Sequence, residues 1–162
     1  MGTQVRISKY DPAYRINGIY TRNEWTSFSD VGLEIFADGV LTEKQYTEVE
    51  DRYVGCILEI AKHCGVRKIR IKTLENRWNL VDWQVKQTLD YTQADQFIRD
   101  GLRERCWGEL SGKGFNMFFG YDYYVHVRSR LDLAELTAIA DRFGLYLDRV
   151  EKIEKVYTRS RR

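Results

Sequence analysis

Three stretches of the chain alternate polar and apolar residues, and this period-two pattern restricts the fold more than any other feature. It runs through residues 4–10, 66–74 and 124–128, and in the second stretch Ile69 and Ile71 point to one side. Because successive side chains of a strand point to opposite faces, each stretch predicts a strand with one buried and one outward face. A sheet that is covered on one face is therefore the expected framework.

Helical segments separate these strands. The strongest signal is the capping box of Thr42 and Gln45, after which apolar residues recur at three- and four-residue steps up to residue 65. Two further helices are predicted over residues 92–105 and 132–144, each opened by a residue suited to cap a helix. Residues 79–91 leave two alternatives open, a fourth helix or an irregular segment.

Together these elements define a single α+β domain. Residues 106–128 predict two or three antiparallel strands, and residues 145–150 predict the last strand. The order β-α-β-α-β-β-α-β mixes hairpins with crossovers, so we expect a mixed or mostly antiparallel sheet of about five strands with roughly three to four helices. At 162 residues with a single proline, the chain has the size of one domain and no proline-rich linker. We expect the domain to span residues 1–157, followed by a basic tail over residues 158–162.

Composition excludes several functional classes. The chain is 43% hydrophobic and 31% charged with a net charge of only +2, which is typical of a globular protein and less basic than a dedicated nucleic-acid-binding domain. Its three cysteines lack the spacing of a zinc site or of a disulfide framework. We find no signal peptide and no apolar run of about 18 residues, so we expect a cytoplasmic protein with no membrane association, no metal and no cofactor.

No catalytic constellation stands out. The two histidines are His63 and His126, and neither has a nucleophile at a spacing that would let it act as a base. The Ser-Gly-Lys-Gly segment at 111–114 lacks the pattern of a phosphate-binding loop and predicts a turn. Residues 11–32 have no periodicity, and loops of this length are often functional. A hydrolase built on this loop would draw on its acidic and aromatic residues: Asp11, Glu24, Trp25 and Asp30.

One surface follows from the alternation itself. If Ile69, Ile71, Val125 and Val127 face the helices, their neighbours in sequence face outward. The outward set contains no acidic residue and consists of Arg6, Lys68, Arg70, Lys72, Tyr124, His126 and Arg128. Such a face is either an ordinary solvated face or a binding surface for an anionic partner. That partner would be an acidic protein, or a nucleic-acid backbone with tyrosine stacking on bases.

Three sequence blocks carry a resemblance. They are Arg6-Ile-Ser-Lys-Tyr-Asp-Pro12, Glu24-Trp-Thr-Ser27 with Ser29-Asp30-Val31-Gly32, and Phe119-Gly-Tyr-Asp-Tyr-Tyr124. With these blocks the chain resembles a family of small bacterial cytosolic proteins that have no assigned activity, and the likeness covers most of its length. The resemblance implies a bacterial cytosolic protein and assigns no role to any residue.

The leading hypothesis is a non-catalytic protein that binds another protein and inhibits or regulates it, for example an immunity protein against a bacterial toxin. It rests on the small size of the chain and on its eleven Tyr, seven Phe and four Trp, which are suited to anchor interfaces. Because nuclease inhibitors tend to present acidic surfaces and the predicted face is basic, a nuclease is not the expected target. The alternatives are a nucleic-acid-binding module that uses the basic face and the hydrolase of the 11–32 loop.

Overall fold

The computed structural model describes residues 2–33 and 36–149. In chain order its elements are β1 (Thr3–Ser8), β2 (Arg15–Ile16), β3 (Ile19–Tyr20), α1 (Glu43–His63), β4 (Ile69–Glu75), β5 (Thr88–Leu89), α2 (Tyr91–Leu102), β6 (Trp107–Gly112), β7 (Phe115–Phe119), β8 (Val125–Ser129), α3 (Leu133–Arg142) and β9 (Tyr146–Arg149). The predicted basic tail, residues 158–162, and the last part of the predicted domain after residue 149 lie outside the described residues.

The strands form one large antiparallel sheet and one small hairpin. The sheet has seven strands in the order β5-β4-β6-β7-β8-β1-β9, and β2 pairs with β3 separately. The predicted α+β class with a mostly antiparallel sheet and three helices is confirmed. The predicted count of about five strands is wrong, and the predicted order of elements is wrong as well, because β5 follows β4 directly and β6, β7 and β8 are consecutive.

Of the two alternatives left open for residues 79–91, the irregular segment is correct as far as the short strand β5, and α2 begins at Tyr91. Asn79 has a φ of 51°, and Asn76 accepts a hydrogen bond from the backbone amide of Leu80 at 3.0 Å, so the chain turns instead of continuing. The segment then returns along the edge of β4, where the amide of Lys86 donates to the carbonyl of Ile71 at 2.8 Å. The apolar spacing that suited a helix therefore belongs to a loop that leads into β5.

One face of the sheet is buried under the three helices. The register aligns five fully buried residues in one row across neighbouring strands: Val5, Val127, Met117, Leu110 and Ile71. α1 begins at the predicted capping box of Thr42 and Gln45. α2 packs so close to β7 that a Cβ added to Gly101 would overlap the ring of Phe119. This tight packing leaves the opposite face of the sheet as the outer one.

The strand directions sort the loops between two ends of the sheet. β1, β4 and β7 run in the same direction, because each is two antiparallel steps from the next one in the sheet. The segments that follow them therefore lie at the same end, which we call the loop end: residues 9–33 with 36–42, 76–87 and 120–124. The opposite end carries the starts of these strands and the turns at 64–68, 112–114 and 130–132.

All three cysteines are free and buried. Burial raises the pKa of the Cys56 and Cys106 thiols to about 12, so neither is a ready nucleophile at neutral pH. Across residues 2–33 and 36–149, no helix combines the length and the apolar character that crossing a membrane requires.

Candidate functional site

The outer face of the sheet carries two neighbouring rows of side chains with different properties. In the first, which we call the polar row, the register aligns five residues across β1, β8, β7, β6 and β4: Gln4, Arg128, Asn116, Ser111 and Arg70. No side chain of the polar row forms a hydrogen bond or an ion pair with another described residue. Because neighbouring strands lie about 4.8 Å apart, the row spans about 19 Å. It is a line of donors with no partner in the described part of the chain.

The second row, which we call the neutralised row, lies next to the first and is aligned as Asp148, Arg6, His126, Phe118 and Glu109, with Lys72 at the bulge of β4. A guanidinium nitrogen of Arg6 lies 2.7 Å from a carboxylate oxygen of Asp148, and the ammonium of Lys72 lies 3.2 Å from Glu109. These pairs cancel the charges of two predicted surface cations. The predicted outward set contains no acidic residue, but Glu109 and Asp148 from two further strands share its face.

The aromatic rings of this face are already covered. The rings of His126 and Phe118 stack with centroids 4.9 Å apart. Burial, together with the nearby Arg6, lowers the pKa of His126 to about 4, so its imidazole is neutral at physiological pH. The guanidinium of Arg6 lies 3.9 Å from the centroid of the Tyr124 ring, and the Tyr124 hydroxyl accepts a hydrogen bond from Arg15 at 2.7 Å. Neither Tyr124 nor His126 is thus free to stack on a nucleic-acid base.

The predicted basic surface therefore separates into two groups. Arg70 and Arg128 lie in the polar row, and Lys68 is exposed just before β4, beside them. The remaining predicted members lie in or against the neutralised row: Arg6, Lys72, Tyr124 and His126. Alternation alone placed them on one face, but it could not show which cations meet a carboxylate across strands.

The loop end exposes apolar side chains. Of the eleven exposed large hydrophobic residues in the described part of the chain, ten lie in the loop-end segments or at the start of β9, which pairs with the end of β1: Tyr14, Ile16, Ile19, Leu33, Val40, Trp78, Leu80, Val85, Tyr121 and Tyr146. Trp78 is 69% exposed and Tyr121 is 67% exposed. The eleventh, Leu133, starts α3 at the opposite end. Exposed apolar residues are common singly, but their concentration at one end is typical of an interaction surface.

The 76–87 loop holds Trp78 and Leu80 in a fixed place. Its backbone is anchored by Arg105, which donates to the carbonyl of Leu80 at 3.0 Å, and the Trp83 indole donates to the Asp100 carboxylate at 2.8 Å. The Trp83 ring also packs on a core phenylalanine, Phe97, at 5.9 Å. A loop fixed in this way loses little conformational entropy when it is buried by a partner.

An aromatic cluster supports the loop end from beneath, and the three sequence blocks meet in it. The Tyr10 hydroxyl donates to the carbonyl of Asp122 at 2.6 Å, and the ring of Trp25 lies 4.8 Å from that of Tyr123. Tyr123 adopts a left-handed backbone with a φ of 66°, which is strained for a bulky side chain. Its buried hydroxyl donates to that of Tyr46 at 3.0 Å, so packing holds the strained turn and leaves Tyr121 outside.

Lys9 is a cation of this region whose side chain is largely buried. Its ammonium lies 4.0 Å from the Trp25 ring, 4.1 Å from the Tyr10 ring and 3.4 Å from Glu24, and its side chain is only 7% exposed. Burial lowers the pKa of Lys9 to about 8, although Glu24 partly opposes this shift. Lys9, Glu24 and Trp25 line a cavity of about 280 Å³.

The acidic residues proposed for a hydrolase do not converge. Asp11 accepts a hydrogen bond from the amide of Ala13 at 2.9 Å and caps a short 3-10 helix. Asp30 accepts from the amide of Thr26 at 2.9 Å and closes the capping box of a second one. Of the four loop residues, only Glu24 and Trp25 reach the cavity beside Lys9. Asp11 and Asp30 thus stabilise local backbone.

A buried ionic cluster beneath the loop end has no counterpart in the sequence-based prediction. Glu50 is fully buried in α1, and Arg103 donates to both of its carboxylate oxygens at 2.9 and 3.1 Å. Arg99 adds a third contact at 3.1 Å. The Arg103 guanidinium also lies 4.8 Å from the ring of Phe28. Its only sequence signal was an acidic residue on the apolar side of a predicted helix.

The exposed charges around Trp78 and Tyr121 are predominantly acidic. Four exposed carboxylates at this end have no ion pair with a described residue: Glu75, Asp82, Glu104 and Asp122. Two exposed cations there are likewise without a carboxylate partner in residues 2–33 and 36–149: Arg77 and Lys86. The loop end therefore combines exposed apolar groups with an excess of negative charge.

No group of three or more His, Cys, Asp or Glu side chains in the described residues is arranged to hold a metal ion. Comparison of the chain with protein-family models, with curated proteins and with solved structures gives no match in any of the three.

Proposed function

We propose that this protein is a non-catalytic interaction protein that binds another protein through the loop end and thereby inhibits or regulates it. The observation that carries the proposal is the placement, at one end of the sheet, of ten of the eleven exposed large hydrophobic residues that the structure describes. Protein interfaces draw most of their binding energy from a few aromatic anchors surrounded by weaker contacts. Trp78 and Tyr121 have the exposure and the residue type of such anchors.

Charge specifies the chemistry of the partner. Because carboxylates without a described ion-pair partner outnumber such cations at the loop end, four to two, a complementary surface would be apolar at its centre and basic at its rim. An immunity protein that blocks a toxin is one concrete form of this proposal. The argument against a nuclease target concerned the basic sheet face and does not extend to the acidic loop end.

The hydrogen bonds that hold the 76–87 loop in place favour a preformed binding surface. Asn76 donates to the carbonyl of Val81 at 2.6 Å, and Trp83 and Arg105 fix the loop to α2 and to the residues that follow it. A partner therefore meets Trp78 in an ordered setting, which reduces the entropic cost of binding. The proposal places the protein in the cytoplasm, where three buried, unpaired thiols stay reduced.

The test begins with affinity capture from the native host and continues with the purified pair. A captured protein supports the proposal only if it binds the purified chain directly and loses about 100-fold in affinity with the double variant Trp78→Ser/Leu80→Ser, a change of about 2.7 kcal/mol. Hydrogen exchange should show protection in residues 76–87 and around Tyr121 upon binding.

The matched control is Leu133→Ser, which removes the one exposed large hydrophobic residue of the described chain at the other end. Its affinity should equal that of the wild type. The proposal fails if no protein is recovered at stoichiometric level, if both variants bind alike, or if sedimentation shows a homodimer that Trp78→Ser/Leu80→Ser dissociates.

A further inference from the structure

The end of the sheet opposite the loop end gathers exposed cations. Around the polar row, the starts of the strands and the adjoining turns carry Arg67, Lys68, Arg70, Lys113, Arg128 and Arg130, all exposed. None of these six forms an ion pair with a described residue. They come from three separate segments of the chain, so the cluster is a product of the topology and not of a run of basic residues.

This cationic end is concave. A cleft of about 410 Å³ lies between the β6–β7 turn and the end of β8, lined by Ser111, Asn116, Arg128 and Arg130 together with glycines. Gly112 packs against Val66 and Gly2 packs against the carbonyl of Ser129, so a side chain fits at neither position. The backbone of Gly2 and Gly112 therefore forms part of the cleft floor, and Arg128 and Arg130 lie at its border.

We propose that the polar row and this cleft bind the phosphodiester backbone of a nucleic-acid duplex. Arg70 and Arg128 are three strand steps apart in the register, about 14 Å at the usual strand spacing. That separation matches the two phosphate backbones bordering a major groove about 12 Å wide. Ser111 and Asn116 lie between the two arginines, and such hydroxyl and amide groups also donate to phosphate oxygens.

Two absences within the described residues favour a duplex over other polyanions. The aromatic rings near the row are covered, with Phe115 buried and Phe118 stacked on His126, so the surface lacks the stacking platforms that hold single strands. It also lacks the exposed apolar anchors that an interface with an acidic protein normally requires, since Leu133 is the one large exposed hydrophobic residue described at this end. Recognition by cations and small polar groups alone is typical of backbone contacts to a duplex.

The test measures binding of the full chain to a 24-base-pair DNA duplex, its RNA counterpart, the separated strands and poly-glutamate by fluorescence anisotropy between 50 and 200 mM salt. Wild type should prefer the duplexes, with affinity that falls steeply as salt rises. The double variant Arg70→Gln/Arg128→Gln should bind about tenfold or more weakly at low salt, and its salt slope should decrease by about 2.

The matched control is Lys44→Gln/Arg52→Gln, which removes two exposed cations from α1 on the other side of the sheet. Equal losses in both double variants would show nonspecific charge attraction and overturn the site. Preference for single strands, preference for poly-glutamate, or no binding at 50 mM salt would also overturn it. Trp78→Ser/Leu80→Ser should leave duplex binding unchanged, so this test and that of the protein-binding loop end can fail separately.

Discussion

The two ends of the sheet differ in the side chains that they expose and in how these side chains are supported. At the loop end the exposed groups include large apolar side chains, and hydrogen bonds within the 76–87 loop and from it to Asp100 and Arg105 hold the backbone of Trp78 and Leu80 in place. At the other end the side chains of the polar row lie on sheet strands and form no hydrogen bond or ion pair with another described residue. The loop end should therefore be sensitive to changes beneath its surface, whereas the polar row should be replaceable at little cost in stability.

The largest expected effect comes from the buried ionic cluster beneath the loop end. Glu50→Gln should lower the free energy of unfolding by about 3 kcal/mol, because it leaves two arginines without their shared carboxylate. The value lies at the low end of the range for buried pairs because Arg99 and Arg103 are partly exposed. Urea denaturation measures it. Asp51→Asn, which removes an exposed carboxylate from Arg99, is the control and should cost less than about 0.5 kcal/mol.

The next effect concerns the anchor of the 76–87 loop. Trp83→Phe keeps the ring contact with Phe97 but removes the indole donor to Asp100, and should cost about 2 kcal/mol because a buried carboxylate loses a hydrogen bond. Amides in the loop should also exchange faster. Trp78→Phe, on the exposed face of the same loop, should change neither quantity. Equal changes in stability and in amide exchange for the two variants would show that Trp83 does not anchor the loop.

A smaller effect should appear as a pH dependence. Because burial lowers the pKa of Lys9 from 10.5 to about 8, the unfolded chain binds more protons than the folded chain between these pH values, so stability rises with pH in this window. The stability of the wild type relative to Lys9→Met should increase by about 1.5 kcal/mol from pH 8 to pH 9.5. Tyrosines with raised pKa values affect both proteins and cancel in this difference. A constant difference would show that Lys9 is not buried as described.

The smallest effect separates the two rows of the outer face. Arg70→Gln/Arg128→Gln should leave the free energy of unfolding within about 0.5 kcal/mol of wild type, since neither side chain has a partner in the described chain. Arg6→Gln should cost up to about 1 kcal/mol, because it breaks the partly exposed pair with Asp148. Thermal denaturation at matched salt checks both. A loss in the double variant as large as that of Arg6→Gln would remove the distinction between the rows.

The sequence predicted those features whose signals are local. The capping box of Thr42 and Gln45 located the start of α1, and the alternation around Ile69 and Ile71 located β4 with its correct faces. β5 escaped prediction because a strand of two residues carries no periodicity, and the spacing of Leu80 and Trp83 suited a helix equally well.

The site depends on nonlocal contacts, and these were beyond a single sequence. Arg6 and Asp148 are 142 positions apart, so nothing in their local patterns shows that their charges cancel. Likewise, the exposure of Trp78 depends on the turn at Asn76, and the burial of Glu50 depends on α2 packing across α1. The sequence could predict which strand side chains point outward. Which residues pair with them, and how exposed they are, depends on the register of the strands.

The position of β1 in the sheet has a consequence for biosynthesis. β1 precedes the other described strands in the chain, yet its two described neighbours are β8 and β9, which are synthesised more than a hundred residues later. Until then the backbone amides and carbonyls of β1 have no partner strand. An unpaired strand of this kind favours association of the nascent chain with other chains. Rapid completion of translation, or a chaperone that shields the first strand, should therefore increase the yield of folded protein.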